Sequence, residues 1–139
     1  MAMAIIDADG AILGRLSSIV AKRLLNGEEI TVINADKILL SGSIEDNYRQ
    51  YYGAYNRGKA IRGPYYPRMP DRILRRTVRG MLPFGTARGK SALKRLKAYM
   101  GSPRELSAET PERVAIAPGG RRYVMLADVS KLLGAKVKE

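Results

Sequence analysis

Cysteine and histidine are both missing from this chain of 139 residues. Without cysteine there is no disulfide, no thiolate nucleophile and no cysteine metal site. Without histidine the chain lacks the commonest general base and the commonest transition-metal ligand. These absences make an enzyme the weaker class of function, and we expect no cofactor, no metal and no small-molecule substrate.

Long apolar runs are missing as well. No run approaches the roughly 20 residues of a membrane span, and residues 1–6 are too short for the core of a signal peptide. We therefore expect a soluble, cytoplasmic protein with no membrane partner. A length of 139 residues suits one domain over 1–139, with a loop at 53–70.

Acidic residues are scarce in one segment only. Between Arg49 and Lys97 there are 14 lysines and arginines and a single acid, Asp71, which gives a net charge of +13. The rest of the chain holds 11 basic and 12 acidic residues, a net charge of −1. A polyanion is the natural partner of charge concentrated in this way. Arginine dominates the segment, and its planar guanidinium matches phosphate and stacks on bases.

A helix with two unlike faces is predicted at the centre of this segment, starting near Pro70. The basic positions are spaced i, i+3, i+4 and i+7, which places them on one face; they are Arg72, Arg75, Arg76 and Arg79. The opposite face carries Ile73, Leu74, Thr77, Val78 and Met81. We expect the apolar face to pack on the protein and the arginine face to bind a partner, although a merely solvated basic face has the same pattern.

The segment 53–70 is rich in glycine and proline and shows no periodicity. Its length predicts a functional loop, mobile in the free protein and ordered on RNA. Arg57, Lys59, Arg62 and Arg68 supply its charge. Tyr65 and Tyr66 are candidates for stacking on unpaired bases. For Tyr48, Tyr51 and Tyr52 we favour packing in the core or an interface.

The first third of the chain predicts a βαβ unit and therefore a parallel sheet. Residues 2–6 and Glu29–Ile33 have the pattern of buried strands, and residues 14–26 that of a helix ending at Gly27. Further short elements are expected, namely strands at 37–40, 114–117 and 123–126 and helices at 44–52 and 127–133. Ser43 is the predicted cap of the helix at 44–52.

A second basic helix is predicted over 90–99. Its apolar side would hold Ala92, Leu93, Leu96 and Met100, and its basic side Lys90, Lys94 and Lys97. The preceding residues 85–91 resemble the phosphate-binding loop of nucleotide hydrolases, but Phe84 stands where that motif needs glycine. We expect Arg88 and Lys90 to hold a backbone phosphate rather than a nucleotide.

Three aspartates could meet near strand ends and hold magnesium, namely Asp7, Asp9 and Asp36. We favour turn and cap roles for them. A phosphate-handling enzyme that uses these aspartates and the 85–91 loop is the alternative function.

Several motifs in a fixed order resemble the L-thirteen family of large-subunit ribosomal proteins. They are Leu13-Gly14-Arg15-Leu16-Ser17-Ser18, Asn34-Ala35-Asp36-Lys37-Ile38, Arg62-Gly63-Pro64, Pro70-Asp71-Arg72-Ile73-Leu74, Arg79-Gly80-Met81-Leu82-Pro83, Arg88-Gly89-Lys90 and Ala92-Leu93-Lys94-Arg95-Leu96-Lys97 with Gly101. The resemblance implies a three-layer α/β/α domain with a small, mainly parallel sheet, and no enzymatic activity. The chain looks like the archaeal type, since it lacks the extensions of bacterial and eukaryotic members.

The resemblance and the charge together predict a structural protein of the large ribosomal subunit, bound to ribosomal RNA beside other ribosomal proteins. A free regulatory protein that binds messages is a further alternative. The residues expected to contact RNA are Arg57, Lys59, Arg62, Tyr65, Tyr66, Arg68, Arg72, Arg75, Arg76, Arg79, Arg88, Lys90, Lys94, Arg95 and Lys97.

Overall fold

The computed structural model describes residues 3–55, 67–103, 111–119 and 121–135. Within those ranges the elements are, in chain order, β1 (Met3–Asp7), α1 (Leu13–Leu25), β2 (Glu29–Ile33), a 3₁₀ helix (Ala35–Lys37), β3 (Leu39–Ser41), α2 (Ile44–Tyr55), α3 (Pro70–Gly80), α4 (Ala87–Lys94), β4 (Leu96–Ala98), β5 (Glu112–Arg113), β6 (Tyr123–Met125) and α5 (Leu126–Leu132).

The main sheet has four strands in the order β4-β2-β1-β5, and every neighbouring pair is parallel. β1, α1 and β2 form the predicted βαβ unit. α1 ends where Gly27 takes a φ of +95°, a left-handed conformation that glycine adopts without a steric penalty. The predicted α/β class with a small, mainly parallel sheet is thereby confirmed.

Both faces of the two central strands are covered. Alternation along β2 puts Ile30 and Val32 on one face, where they join the main core with Leu16 and Leu24 of α1. Thr31 and Ile33 point to the other face and are also buried. Burial on both sides fits a strand in the interior of a parallel sheet, although Thr31 interrupts the apolar residues of β2.

A second, two-stranded antiparallel sheet pairs β3 with β6 and lies beside α2 and α5. The Ser43 hydroxyl accepts a hydrogen bond from the Asp46 amide at 3.2 Å, which confirms Ser43 as the cap of α2. The side-chain amide of Asn47 donates to the carbonyls of Ser41 and Ser43, each at 2.9 Å, and so ties α2 to β3.

Arg23, near the end of α1, bridges two carboxylates. Its Nε lies 2.8 Å from Glu28 Oε2 and its Nη1 lies 3.0 Å from Glu112 Oε2. The hydrogen bonds from Arg23 hold the pKa of Glu28 below its ordinary value, and the two carboxylates raise the pKa of Arg23. This pairing connects the end of α1 to the edge strand β5.

The predicted second basic helix over 90–99 is wrong in its second half. α4 ends at Lys94, and residues 96–98 form β4, in which Leu96 pairs with Ile30 of β2. Leu96 is buried in the observed strand and would also be buried on the apolar side of a helix. Its apolar character therefore does not distinguish the two structures. Pairing with the sheet therefore overrides local helix propensity here. Met100, predicted on the apolar side, is exposed.

Smaller differences concern element ends. The predicted strand at 114–117 is displaced to Glu112–Arg113, because Ala115 has a φ of +56° that breaks extended structure. The strand predicted at 37–40 is divided between the 3₁₀ helix and β3. α2 continues to Tyr55, so residues 53–55 belong to it and not to the predicted loop. Residues 56–66 of that loop lie outside the described ranges.

Within the described ranges, no helix is long and apolar enough to cross a membrane.

Removing the Leu74 side chain tests the role of the apolar face of α3. Leu74 is fully buried in the main core, so Leu74→Ala should lower the free energy of unfolding by about 2–5 kcal/mol, measured by urea denaturation. Met81→Ala is the matched control, because Met81 is 43% exposed and its loss should have little effect. Equal effects of the two substitutions would contradict the assignment of the buried face.

Candidate nucleic-acid interface

α3 presents its arginines to solvent because its opposite face is anchored. Ile73, Leu74 and Val78 have no exposed surface and pack in the main core, and α3 contacts α1. The four predicted arginines, Arg72, Arg75, Arg76 and Arg79, are all exposed. The two-faced helix is thus confirmed, except that Met81 lies beyond the end of α3 and is not part of its buried face.

Most of the positive charge of this region is not neutralised from within. No ion pair to another described residue is formed by Arg72, Arg75, Arg79, Arg88, Lys90, Lys94, Arg95 or Lys97. Asp71, the single acid of the segment, also forms none within the described ranges. Arg23, outside the segment, instead has two carboxylate partners. The surface formed by α3, α4 and β4 therefore carries a concentrated positive field.

Three of the predicted RNA-binding arginines are oriented by main-chain carbonyls. Arg75 Nη1 donates to the carbonyl of Leu96 at 2.8 Å, on the outer edge of β4. Arg95 Nη2 donates to the carbonyl of Leu24 at 2.6 Å, and Arg88 Nη2 donates to that of Leu25 at 3.3 Å. The last two carbonyls end α1, where a cation is favoured by the helix dipole. Each guanidinium keeps further N–H donors for a ligand.

Phe84 contacts one of the candidate arginines, a role that was not predicted from sequence. The guanidinium carbon of Arg79 lies 4.3 Å from the centre of the Phe84 ring, within cation–π range. Phe84 is half-buried and packs against the core, so it gives Arg79 a fixed platform. The signal was available, because the only phenylalanine of the chain follows Arg79 by five residues.

The glycine-rich residues 85–91 form a tight helix start rather than a loop after a buried strand. Thr86 caps α4 by accepting a hydrogen bond from the Gly89 amide at 3.2 Å, and its hydroxyl donates to the Pro83 carbonyl at 2.7 Å. A Cβ at Gly89 would overlap the main chain of Pro83 and Phe84. Gly89 is therefore needed for close packing. Lys90 is exposed beside it, as is Arg88.

The remaining predicted site residues are divided between surface positions and positions that the structure does not describe. Arg68, Lys94 and Lys97 are exposed, and Arg95 is half-buried. Arg57, Lys59, Arg62, Tyr65 and Tyr66 lie outside the described ranges. Packing is confirmed for Tyr51, which is buried, and for Tyr48, which packs against the core. Tyr52 is exposed, with its ring centre 5.4 Å from that of Tyr48.

Among the aspartates expected to serve turns and caps, Asp7 makes a local turn contact, whereas Asp36 joins segments that are distant in sequence. Asp7 Oδ1 accepts hydrogen bonds from the side-chain amide of Asn34 at 2.9 Å and from the main-chain amide of Asp9 at 3.0 Å. Asp36 Oδ1 accepts one from the Gly101 amide at 3.2 Å. Within the part of the chain that the structure covers, no group of three or more acidic side chains is placed to hold a metal ion.

Comparison with known proteins finds one matching family and similar proteins that share one name. The family described as "Ribosomal protein L13" matches residues 1–105. Proteins named large ribosomal subunit protein uL13 are 48% identical in Methanococcoides burtonii, over 96% of this chain and 99% of that protein, and 48% identical in Archaeoglobus fulgidus, over 94% and 86%. The protein of that name in Methanocaldococcus jannaschii is 45% identical, over 96% and 99%. All three organisms are archaea.

Adding a methyl group at Gly89 tests the close packing of α4 on the Pro83–Phe84 main chain. Gly89→Ala should destabilise the fold by about 1–3 kcal/mol or more, because main-chain atoms rather than a flexible side chain must move. Gly85→Ala is the matched control, since a Cβ at Gly85 meets no atom within 4 Å. Thermal melting of both variants gives the comparison, and a Gly89→Ala variant as stable as Gly85→Ala would refute the packing argument.

Proposed function

The chain belongs to the ribosomal protein L13 family, and we propose that it is a structural constituent of the large ribosomal subunit that binds and stabilises the ribosomal RNA of that subunit. The proposal extends to contact with neighbouring ribosomal proteins, to the cytoplasm as the location of the ribosome, and to one RNA-binding domain over residues 1–139. Its role is non-enzymatic.

One observation carries the RNA-binding part of the proposal. Eight cations on or next to α3, α4 and β4 form no ion pair with a described residue, although the rest of the chain is close to neutral. Charges held at a surface without compensation repel one another and reduce stability unless a polyanion is bound. RNA phosphates remove that repulsion and release their own counterions.

The geometry fits phosphates better than base edges. Exposed guanidiniums and ammonium groups on a convex helix reach backbone oxygens, which supply affinity and position. Specificity then comes from the shape of the folded RNA and from its unpaired bases. Tyr65 and Tyr66 remain our candidates for stacking on such bases. Orientation of Arg75 by Leu96 and of Arg79 by Phe84 reduces the entropy lost on binding.

Residence on the ribosome can be tested by sedimentation. In lysates of the cells that produce this protein, it should sediment with large ribosomal subunits and remain with them after a high-salt wash, because contacts spread over α3, α4 and β4 must all break for release. A protein released at moderate salt and found with messages in the light fractions would instead be a free regulatory RNA-binding protein.

The arginine face can be tested by neutralising three of its side chains. Arg72, Arg76 and Arg79 are replaced together by Gln, and Arg75 is kept because it donates to Leu96. Affinity for a transcribed large-subunit ribosomal RNA should fall. The slope of log affinity against log salt should flatten by about 0.7–0.9 for each phosphate that the variant no longer neutralises. Filter binding at several salt concentrations measures both quantities.

The matched control removes the same charge elsewhere. Arg15, Lys22 and Lys37 are exposed and lie outside the basic segment, so their joint replacement by Gln changes the net charge equally. We expect a smaller loss of affinity and a nearly unchanged slope. Equal losses in the two triple variants would mean that total charge, and not the arginine face, determines binding.

A further inference from the structure

A small pocket lies between β2, the end of α4 and β4. It encloses about 160 Å³ and is lined by Glu29, Thr31, Lys94, Arg95 and Lys97. Three of these five residues are cations. The pocket lies at the sheet and includes none of the arginines of α3. From sequence alone, only the cations were expected to bind RNA, and they were assigned to a single helix.

The sheet register explains why these residues meet. Thr31 of β2 is paired with Lys97 of β4, so their side chains stand next to each other on the same face. Glu29 precedes Thr31 by two residues and shares that face. The Arg95 carbonyl accepts a hydrogen bond from the Ile30 amide at 3.1 Å, while its guanidinium is held by the Leu24 carbonyl. Two pairings therefore fix the wall of the pocket before any ligand arrives.

The charges in the pocket do not cancel one another. Glu29 forms no ion pair with Lys94 or Lys97 or with any other described residue, and the pocket carries two net positive charges. Thr31 is only 8% exposed and lines the pocket, where its hydroxyl can donate to a ligand. Arg95 Nε is buried without an acceptor among the described residues, a cost that an anion nearby would reduce. An ordered wall, a hydroxyl and uncompensated cations offer an anion charge-assisted hydrogen bonds.

We propose that this pocket binds one phosphate group. The inference rests on the proposed function in naming a backbone phosphate of the ribosomal RNA as the occupant, and inorganic phosphate shares the same chemistry. Glu29 opposes the bound phosphate through like-charge repulsion. It thereby weakens capture of a free ion, whereas an RNA that is already held by α3 delivers its phosphate at high effective concentration.

The role of Glu29 gives a test in which a variant binds more tightly than the original protein. Glu29→Gln removes the repulsion and should strengthen binding to the transcribed ribosomal RNA by about two- to fivefold, the size of one partly exposed charge interaction. Glu45→Gln is the matched control, because it makes the same charge change on an exposed residue of α2 that does not line the pocket. It should leave the affinity unchanged. Equal strengthening by both variants would overturn the proposal.

A second measurement separates the two sources of phosphate. Inorganic phosphate is titrated into RNA-free protein while the amide resonances of Thr31 and Lys97 are recorded. We expect saturable shifts at millimolar concentrations, at lower concentrations for Glu29→Gln, and smaller shifts for Thr31→Val. Shifts of this kind with no change in RNA affinity would overturn the assignment to RNA and leave a site for a free anion.

The outcome also distinguishes failure of the pocket from failure of the proposed function. If neither RNA affinity nor the amide resonances respond to changes at Glu29, while neutralising the arginine face still weakens RNA binding, the pocket proposal is wrong and the proposed function stands. If the arginine-face variant binds ribosomal RNA as tightly as the original protein, the RNA-binding function itself is wrong. Thermal melting of each variant shows that folding is intact.

Discussion

The structure depends on how the cations of α3, α4 and β4 are held at a surface, within a segment from Arg49 to Lys97 that has a net charge of +13 and a single acid. Coulombic repulsion alone would drive that segment apart. It is opposed by burial of the apolar face of α3, where Ile73, Leu74 and Val78 are removed from water next to α1. At about 1.5–3 kcal/mol for each side chain, this burial exceeds the few tenths of a kcal/mol expected of each exposed like-charge pair. The helix therefore holds its arginines outward despite their mutual repulsion.

Hydrogen bonds to main-chain carbonyls orient three of the arginines at this surface. Arg75, Arg88 and Arg95 each donate to a main-chain oxygen, and a carbonyl orients a guanidinium without cancelling its charge. A carboxylate would orient it equally well and abolish its field, as happens at Arg23. The two types of partner thus divide these four arginines by function. Arg23 stabilises the fold through neutralisation, whereas the other three are positioned and remain charged.

The parts of this arrangement that depend on periodicity could be predicted from sequence, and those that depend on pairing between distant segments could not. β-Branched composition identified β2, and helical spacing identified α1 and the two faces of α3, because each pattern is local. Leu96 was assigned to a helix because nothing near it in sequence reports its pairing with Ile30. For the same reason Thr31 and Glu29 were not linked to Lys97.

The glycine-rich stretch after α3 also depends on a contact that its spacing does not report. The absence of a side chain at Gly89 lets α4 approach the main chain of Pro83. That approach places Phe84 against the core and beneath Arg79. α3 and α4 are thereby in contact, and Arg75 joins α3 to β4. Since oriented cations lose less entropy on binding than mobile ones, we expect this packing to favour the proposed RNA binding through residues that themselves carry no charge.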